Sequence, residues 1–146
     1  MRIFKAHKPS DFPGWINRKS LATFLHEHLK PYEDMVEDIM RGLDYAFSDE
    51  PGKGGFVLLA QIDDRLAGAL VMLHTGMKGY IPENLLLFVA VDSKTRSRGI
   101  GRRLIEKAIA DCEGDVCLHV EYENPAKRLY ERIGFNSKYA EMRYSR

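Results

Sequence analysis

The residues with the clearest chemical potential form the run Arg96-Ser97-Arg98-Gly99-Ile100-Gly101-Arg102-Arg103. Its two glycines let backbone N–H groups approach an anion with no β-carbon in the way. The run follows an apolar segment that ends at Val91 and opens a helical pattern that starts at Gly99. An anion docked here would therefore also meet the unpaired N–H groups and the positive dipole end of a helix. Arg102 and Arg103 sit in the first helical turn, where cations oppose the macrodipole. A helix built for stability alone would tend to carry acids there. A bound anion accounts for both arginines, and for Arg96 and Arg98 beside them. The alternative is a solvated basic turn, since one Gly-x-Gly pair is a weak signal. The loop lacks the Gly-x4-Gly-Lys-Ser/Thr spacing of an NTPase phosphate loop and the third glycine of a dinucleotide fingerprint.

The elements that must hold this loop read as follows. Arg2 to Ala6 forms a short strand, and Asp11-Phe12-Pro13-Gly14 a turn. Ser20 is a suitable N-cap for a helix with Leu21, Phe24, Leu25, His28 and Leu29 on its apolar face, ended by Pro31. Tyr32, Met35, Val36, Ile39, Met40 and Leu43 recur at helical spacing and predict a second helix. Phe56 to Ile62 and Leu66 to His74 read as a hairpin turned at Asp63-Asp64. Leu85 to Val91 is almost continuously apolar, so it reads as a central strand buried on both faces. Gly99 to Cys112 is a helix with Ile100, Leu104, Ile105, Ala108 and Ile109 on one stripe. Val116 to Val120 is a strand. A last helix starts after Asn124 with Pro125 at its first position and Gly134 past its end. Phe135 to Tyr144 supplies one strand or a very short pair. The order predicts an α+β (α/β three-layer) fold in one domain spanning residues 1–146.

Composition narrows the function. With 45% hydrophobic and 29% charged residues, the chain reads as an ordinary globular protein. A formal net charge of +1 argues against a nucleic-acid-wrapping protein. No apolar run exceeds strand length, so no signal peptide or membrane anchor is expected, and the location is expected to be cytoplasmic. Cys112 and Cys117 are too few for a disulfide scaffold and read as buried reduced thiols. His26-Glu27-His28 lacks the spacing that puts two histidines on one helix face, and no metal is expected.

Three segments together resemble a known family. Arg96-x-x-Gly99-x-Gly101 is similar to the Arg/Gln-x-x-Gly-x-Gly/Ala signature of the GNAT superfamily of acyl-CoA N-acyltransferases. Leu85-Leu-Leu-Phe-Val-Ala-Val-Asp92 resembles that family's fourth strand. Asn124-Pro-Ala-Lys-Arg-Leu-Tyr130-Glu-Arg-Ile-Gly-Phe135 resembles its late Asn…Leu-Tyr-x-x-x-Gly-Phe segment. The resemblance is carried by Tyr80 to Phe135. It implies a mixed, mostly antiparallel sheet of about six to seven strands, splayed between strands four and five and flanked by about four helices. It also implies acetyl-CoA as cosubstrate. The pantetheine arm would pair with Val89, Ala90 and Val91. The pyrophosphate would rest on the N–H groups from Arg98 through Gly99, Ile100, Gly101 and Arg102 to Arg103. Asn124 would cap its helix and touch the cofactor arm.

The implied reaction is direct attack of a primary amine on the thioester within a ternary complex. An alkyl ammonium has a pKa near ~10.4 and must lose a proton first. A backbone N–H of the fourth strand, such as that of Val89, would stabilise the oxyanion. Tyr130 matches the tyrosine that many members place near the sulfur as general acid; read without the family, it is a core aromatic. Glu83, Glu121 and His119 are the candidate bases, and Glu121 and His119 share a strand face. The acceptor, a small-molecule or peptide amine, would meet residues from Trp15 to Phe47 and from Thr75 to Asn84. Trp15, Tyr32, Tyr45, Tyr80, Glu33 and Asp34 lie in those stretches. The short segment after Phe135 departs from the family's hairpin. The exposed edge it leaves would be covered by a loop or by a second subunit in a homodimer. Two other readings stay open: a catalytically silent acyl-CoA sensor, and another nucleotide-binding protein using the same loop.

Overall fold

A computed structural model describes residues 1–146. The chain runs β1 (Arg2–Ala6), a short 3-10 turn (Pro9–Asp11), α1 (Arg18–His28), α2 (Val36–Ala46), β2 (Gly55–Ile62), β3 (Arg65–His74), β4 (Asn84–Val91), α3 (Ile100–Ala110), β5 (Val116–Leu118) and α4 (Ala126–Ile133). The β2–β3 turn is set by Asp63 and Asp64, at φ 50° and 60°. A two-residue hairpin turn whose twist matches its strands needs such left-handed values, and aspartate tolerates them.

The sheet has the order β1-β2-β3-β4-β5, antiparallel throughout except for the parallel β4–β5 pair. One face is covered by α1 and α2, where Leu21, Leu25, Ile39 and Leu43 pack on Val57, Leu59, Ala69 and Val71. The other is covered by α3 and α4, where Leu104, Ile105, Ala108 and Tyr130 pack on Phe56, Leu58, Leu70 and Met72. This is the expected three-layer α+β arrangement with four helices. The strand number differs, because residues 136–146 form no strand. That stretch alternates charged and polar side chains with too few apolar ones to bury a face.

Several boundaries also move. Ser20 is not the α1 N-cap. Asn17 is, and Ser20 is the reciprocal partner three residues into the helix: Asn17 Oδ1 accepts from Ser20 N–H at 2.8 Å, and Ser20 Oγ accepts from Asn17 N–H at 3.0 Å. Helix α2 begins at Val36, so Tyr32 lies in the connection before it. Strand β5 stops at Leu118 rather than Val120. The strands buried on both faces are β2 and β3, whereas β4 alternates between buried and half-buried positions. The reason is the position of β4 beside a gap.

That gap starts at a bulge. Val71 of β3 pairs with Phe88 and Met72 with Leu86, so Leu87 is an extra residue in β4. A bulge bends its strand and sharpens the local twist. Pairing of β4 with β5 ends at the same level, with Leu86 opposite Leu118. From Leu87 to Val91 the outer edge of β4 is unpaired, ~13 Å of strand at ~3.3 Å per residue. Helices approach β4 closely from both faces. A β-carbon at Gly42 of α2 would lie 2.5 Å from Leu87 Cδ2 and 3.2 Å from Phe88 Cε2. A β-carbon at Gly68 of β3 would lie 3.0 Å from both Ile100 Cγ2 and Leu104 Cδ1, and 3.3 Å from the Ala90 carbonyl oxygen. Gly68 thus lets the first turn of α3 sit close to the sheet. Overpacking of this kind costs ~1–3 kcal/mol. Gly68→Ala is expected to lower unfolding stability by that amount in urea titration; an unchanged midpoint would contradict the close approach.

Candidate active site

The loop between β4 and α3 is folded by Asp92. Its carbonyl accepts from Thr95 N–H at 2.9 Å and from Thr95 Oγ1 at 3.1 Å, and its Oδ1 accepts from Lys94 N–H at 2.8 Å. Ser97 and Gly99 then take left-handed φ values of 68° and 76°. Curling the backbone this way aims successive N–H groups into one concavity. No N–H from Arg96 to Arg102 donates to a protein atom; the next residue, Arg103, makes the first helical bond, to the Gly99 carbonyl. Helix α3 has no side-chain cap and no acid in its first turn. Its neighbour α1, by contrast, is closed by the Asn17–Ser20 box. Unpaired donors of this kind are normally satisfied by a cap, by water or by a ligand.

The cations divide by role. Arg98 and Arg103 are exposed and form no ion pair. Arg102 pairs with Glu106, an exposed contact that contributes little to stability. Arg96 turns its guanidinium back toward α1. Ile100 is buried in the core and contributes only its backbone to the loop. Gly101 lies inside the helix, and a β-carbon there would meet Val91 Cγ2 at 3.5 Å and Leu129 Cδ2 at 3.7 Å, ordinary contact distances. Packing therefore does not demand glycine at 101. Its absence of a side chain leaves room beside the N–H row, as an anion pressed against the backbone requires.

The edge of β4 leads into this cradle. Asp92 N–H donates to the Ala67 carbonyl of β3 at 2.8 Å. Peptide direction alternates along a strand, so Ala90 faces β3 too, while Val89 and Val91 point their N–H and carbonyl groups into the gap. The Val91 carbonyl accordingly accepts from Arg96 Nε at 3.3 Å on that side. Ala90 turns its side chain into the α1–α2 core. The backbone groups open to an extended ligand are thus the N–H and carbonyl of Val89 and the N–H of Val91, whose carbonyl already holds Arg96.

Tyr130 projects from α4 into the apolar cluster that includes Val89, Val91, Leu118 and Val120. Its ring meets Phe135 edge-on, with centroids 5.9 Å apart. It is 8% exposed, and burial pushes its pKa from 10.0 up to about 12. The phenol is protonated at any physiological pH. Its hydroxyl is not a sealed orphan, since the one buried side-chain polar atom without a partner is Arg18 Nε. Pro125 has helical dihedrals, φ −57° and ψ −25°. Asn124 acts as the cap before it, its Oδ1 accepting from Ala126 N–H at 2.9 Å.

The carboxylates are spread out. Glu83 lies at the paired end of β4, with its carboxylate against the backbone of Gly114, whose hypothetical β-carbon would fall 1.7 Å from Oε2. From there Leu87 is ~13 Å along the strand. Glu121 and His119 follow β5 on the α1–α2 side, opposite Val116, Leu118 and Val120; both are exposed and unbonded. The paired end is locked by buried Asn84, which donates to the carbonyls of Glu113 at 2.7 Å and Asp115 at 3.1 Å and accepts from His74 Nδ1 at 2.9 Å. Of the aromatics considered for the acceptor side, Tyr32 reaches the gap, donating to the Glu123 carbonyl at 3.2 Å. Trp15 packs on Phe4, Tyr45 bonds the His74 carbonyl, and Tyr80 stacks near Tyr139. Cys112 and Cys117 are free and half-buried, and burial pushes both thiols up. Sequence reading missed Leu87 as a bulge, Asn84 as the lock and His28 and Ser93 as partners of the loop. Only distant contacts define those roles.

Burial of Tyr130 also makes a stability prediction. Below pH 10 the phenol is neutral in folded and unfolded chains alike. Between 10 and about 12 the unfolded chain releases a proton that the folded chain retains, so folding stability falls as pH rises. The loss approaches roughly 2–3 kcal/mol. Denaturant titrations at pH 9 to 11.5 should show it in the wild type and not in Tyr130→Phe; parallel curves would contradict the buried phenol.

Comparisons with known proteins fall on the same segment. A model of the acetyltransferase (GNAT) domain matches residues 53–137. N-alpha-acetyltransferase 30 of Xenopus laevis is 40% identical over 82 residues, covering 53% of this chain and 30% of that protein. The chain thus spans less than a third of that relative's length. Among solved structures, a possible acetyltransferase from Clostridium difficile 630 superposes with a TM-score of 0.68 at 20% identity, over 99% of this chain and 96% of that one. The aminoglycoside N-acetyltransferase AAC(6')-Iy, solved in complex with CoA, gives a TM-score of 0.68 at 12% identity, over 99% and 93%. These two likenesses establish the fold. With its bulge, cradle and Tyr130 all inside the matched segment, the chain belongs to the GNAT acetyltransferase family.

Proposed function

We propose that this protein is an acetyl-CoA-dependent N-acetyltransferase, a single catalytic domain that acetylates the primary amine of a peptide or small molecule in a ternary complex. The observation that carries the proposal is the row of unbonded N–H groups from Arg96 to Arg102, continuous with the unpaired edge of β4. The pyrophosphate of acetyl-CoA rests on the N–H groups from Arg98 to Arg102, with the free Arg98 and Arg103 side chains adding charge. Its pantetheine amides pair with the peptide groups of Val89 and Val91. Bound acetyl-CoA supplies an activated thioester. The protein orients it, shields it from water and moves protons around it. A gap-facing N–H of β4 stabilises the oxyanion. Tyr130, held neutral by burial, donates its proton to the departing sulfur. Asn124 keeps the start of α4 in place beside the gap.

The base side favours an acceptor that needs little help. Glu121 and His119 are exposed and unbonded, and Glu83 sits at the paired end of the strands. A lysine-type amine, with a pKa near ~10.4, would depend on a well-placed base, whereas a peptide α-amine near ~8 is already part neutral at physiological pH. We therefore favour a peptide α-amine, in keeping with the name of the Xenopus relative, with Glu121 or His119 relaying the proton through water. We place its work in the cytoplasm, where acyl-CoA also resides.

Two outcomes test this reading. Tyr130→Phe should lower turnover with acetyl-CoA by ~100-fold or more, the usual contribution of general acid catalysis, and leave CoA affinity nearly unchanged. Equal turnover across the pH range would remove the acid role. In a thiol-release screen, peptides with free α-amines should outperform the same peptides with blocked α-amines and a lysine. No release with any amine, despite CoA binding, would favour the silent sensor.

A further inference from the structure

Arg96 differs from the other arginines of the cradle. Its backbone N–H belongs to the unbonded row, yet its side chain leaves the cradle for another element. Nη2 donates to the His28 carbonyl at 2.7 Å, and Nε to the Val91 carbonyl at 3.3 Å. Ser93 N–H donates in turn to His28 Nδ1 at 3.2 Å. Two of these bonds therefore join the last residue of α1 to the loop, and the third ties Arg96 to the end of β4. Helix α1 does not need them to terminate, since Leu29 N–H bonds the Leu25 carbonyl and Tyr32 N–H bonds the Leu29 carbonyl. The His28 carbonyl is one of the last of the helix, left without an intrahelical donor, and a guanidinium there also complements the negative dipole end.

Past His28 the chain crosses the mouth of the gap. Tyr32 reaches the Glu123 carbonyl on the β5 side, and His26 Nδ1 donates to the Asp34 carbonyl at 3.0 Å, folding the crossing back on α1. The segment from Leu29 to Asp34 is thus fixed to both walls: to the cradle loop through Arg96 and His28, and to the β5–α4 turn through Tyr32.

We propose that Arg96 and His28 are positioning residues that couple occupancy of the N–H cradle to the acceptor-side end of α1, so that binding of acyl-CoA sets the wall the amine then meets. This inference rests on the cradle being the acyl-CoA site. An anion held by the N–H groups restrains the Arg96 peptide. Both engaged nitrogens of its guanidinium pass that restraint to Val91 and His28. Such coupling is reciprocal, so an ordered acceptor wall tightens the cradle in return.

Hydrogen exchange of the intact protein with and without CoA tests it, read on peptides spanning residues 25–33 and 95–104. In the wild type, CoA should slow exchange in both. In Arg96→Met, the cradle should still be protected, while protection at the α1 end falls by about fivefold or more. His28→Ala, which removes the acceptor of the Ser93 N–H and the ring packed on Phe24 but keeps the carbonyl that Arg96 bonds, should weaken that protection as well and serves if Arg96→Met does not fold. Full protection of the α1 end in the variants overturns the coupling and leaves the CoA reading intact. Absence of cradle protection in the wild type overturns the reading and the coupling together.

Discussion

Everything in this fold that bears on chemistry depends on one extra residue in β4. Leu87 has no partner on β3, and its insertion ends the pairing of β4 with β5 at Leu86 and Leu118. A regular strand would have continued the ladder and used up the peptide groups of Val89 and Val91. The bulge instead leaves a strip of backbone with unmet hydrogen-bonding capacity in an otherwise satisfied sheet, an arrangement that a ligand with amide groups would complete. Gly42 lets α2 sit close over the bulge at Leu87, and Gly68 lets the first turn of α3 sit close to the far end of β4. At the other end of the pair, Asn84 ties β4 to the turn before β5, so the strands diverge from a fixed point.

The cradle repeats the same principle at the helix end. Helix α3 starts without a cap, carries arginines where acids would stabilise it, and leaves its first donors free. Each omission costs some stability in the free protein. Together they leave free donors and free cations at one helix end, the arrangement behind the proposed anion site. The apolar pocket around Tyr130 is a third local compromise, since burial of its hydroxyl restricts it to the neutral form. A phenol kept protonated at working pH still carries the proton that a departing thiolate takes up.

Much of this was legible in the residues. The Arg96-to-Arg103 run stood out from its glycine spacing and its arginines in a first helical turn, and the hairpin at Asp63-Asp64 and the caps at Asn124 and Gly134 followed from local turn chemistry. What was not legible depended on distance. An unbroken apolar run such as Leu85 to Val91 has no alternation for a bulge to interrupt, so Leu87 was invisible and β4 read as wholly buried. Ser20 looked like a cap because it has the right chemistry, but Asn17 offers the same chemistry one turn earlier. The link from Arg96 to His28 spans 68 positions and has no local signature. The carboxylates illustrate the same limit, for proximity to a strand end said nothing of which way Glu83 would lie.

The account reduces to the claim that the β4 edge and the α3 N-terminus form one continuous site for the amide and pyrophosphate groups of CoA. Backbone amide chemical-shift mapping during a CoA titration addresses it most directly. The largest changes are expected at the N–H groups of Val89, Val91 and Arg98 to Arg102, saturating together, with ATP perturbing the loop only weakly and leaving Val89 unmoved. Shifts confined to the loop, or equal responses to ATP and CoA, would contradict it.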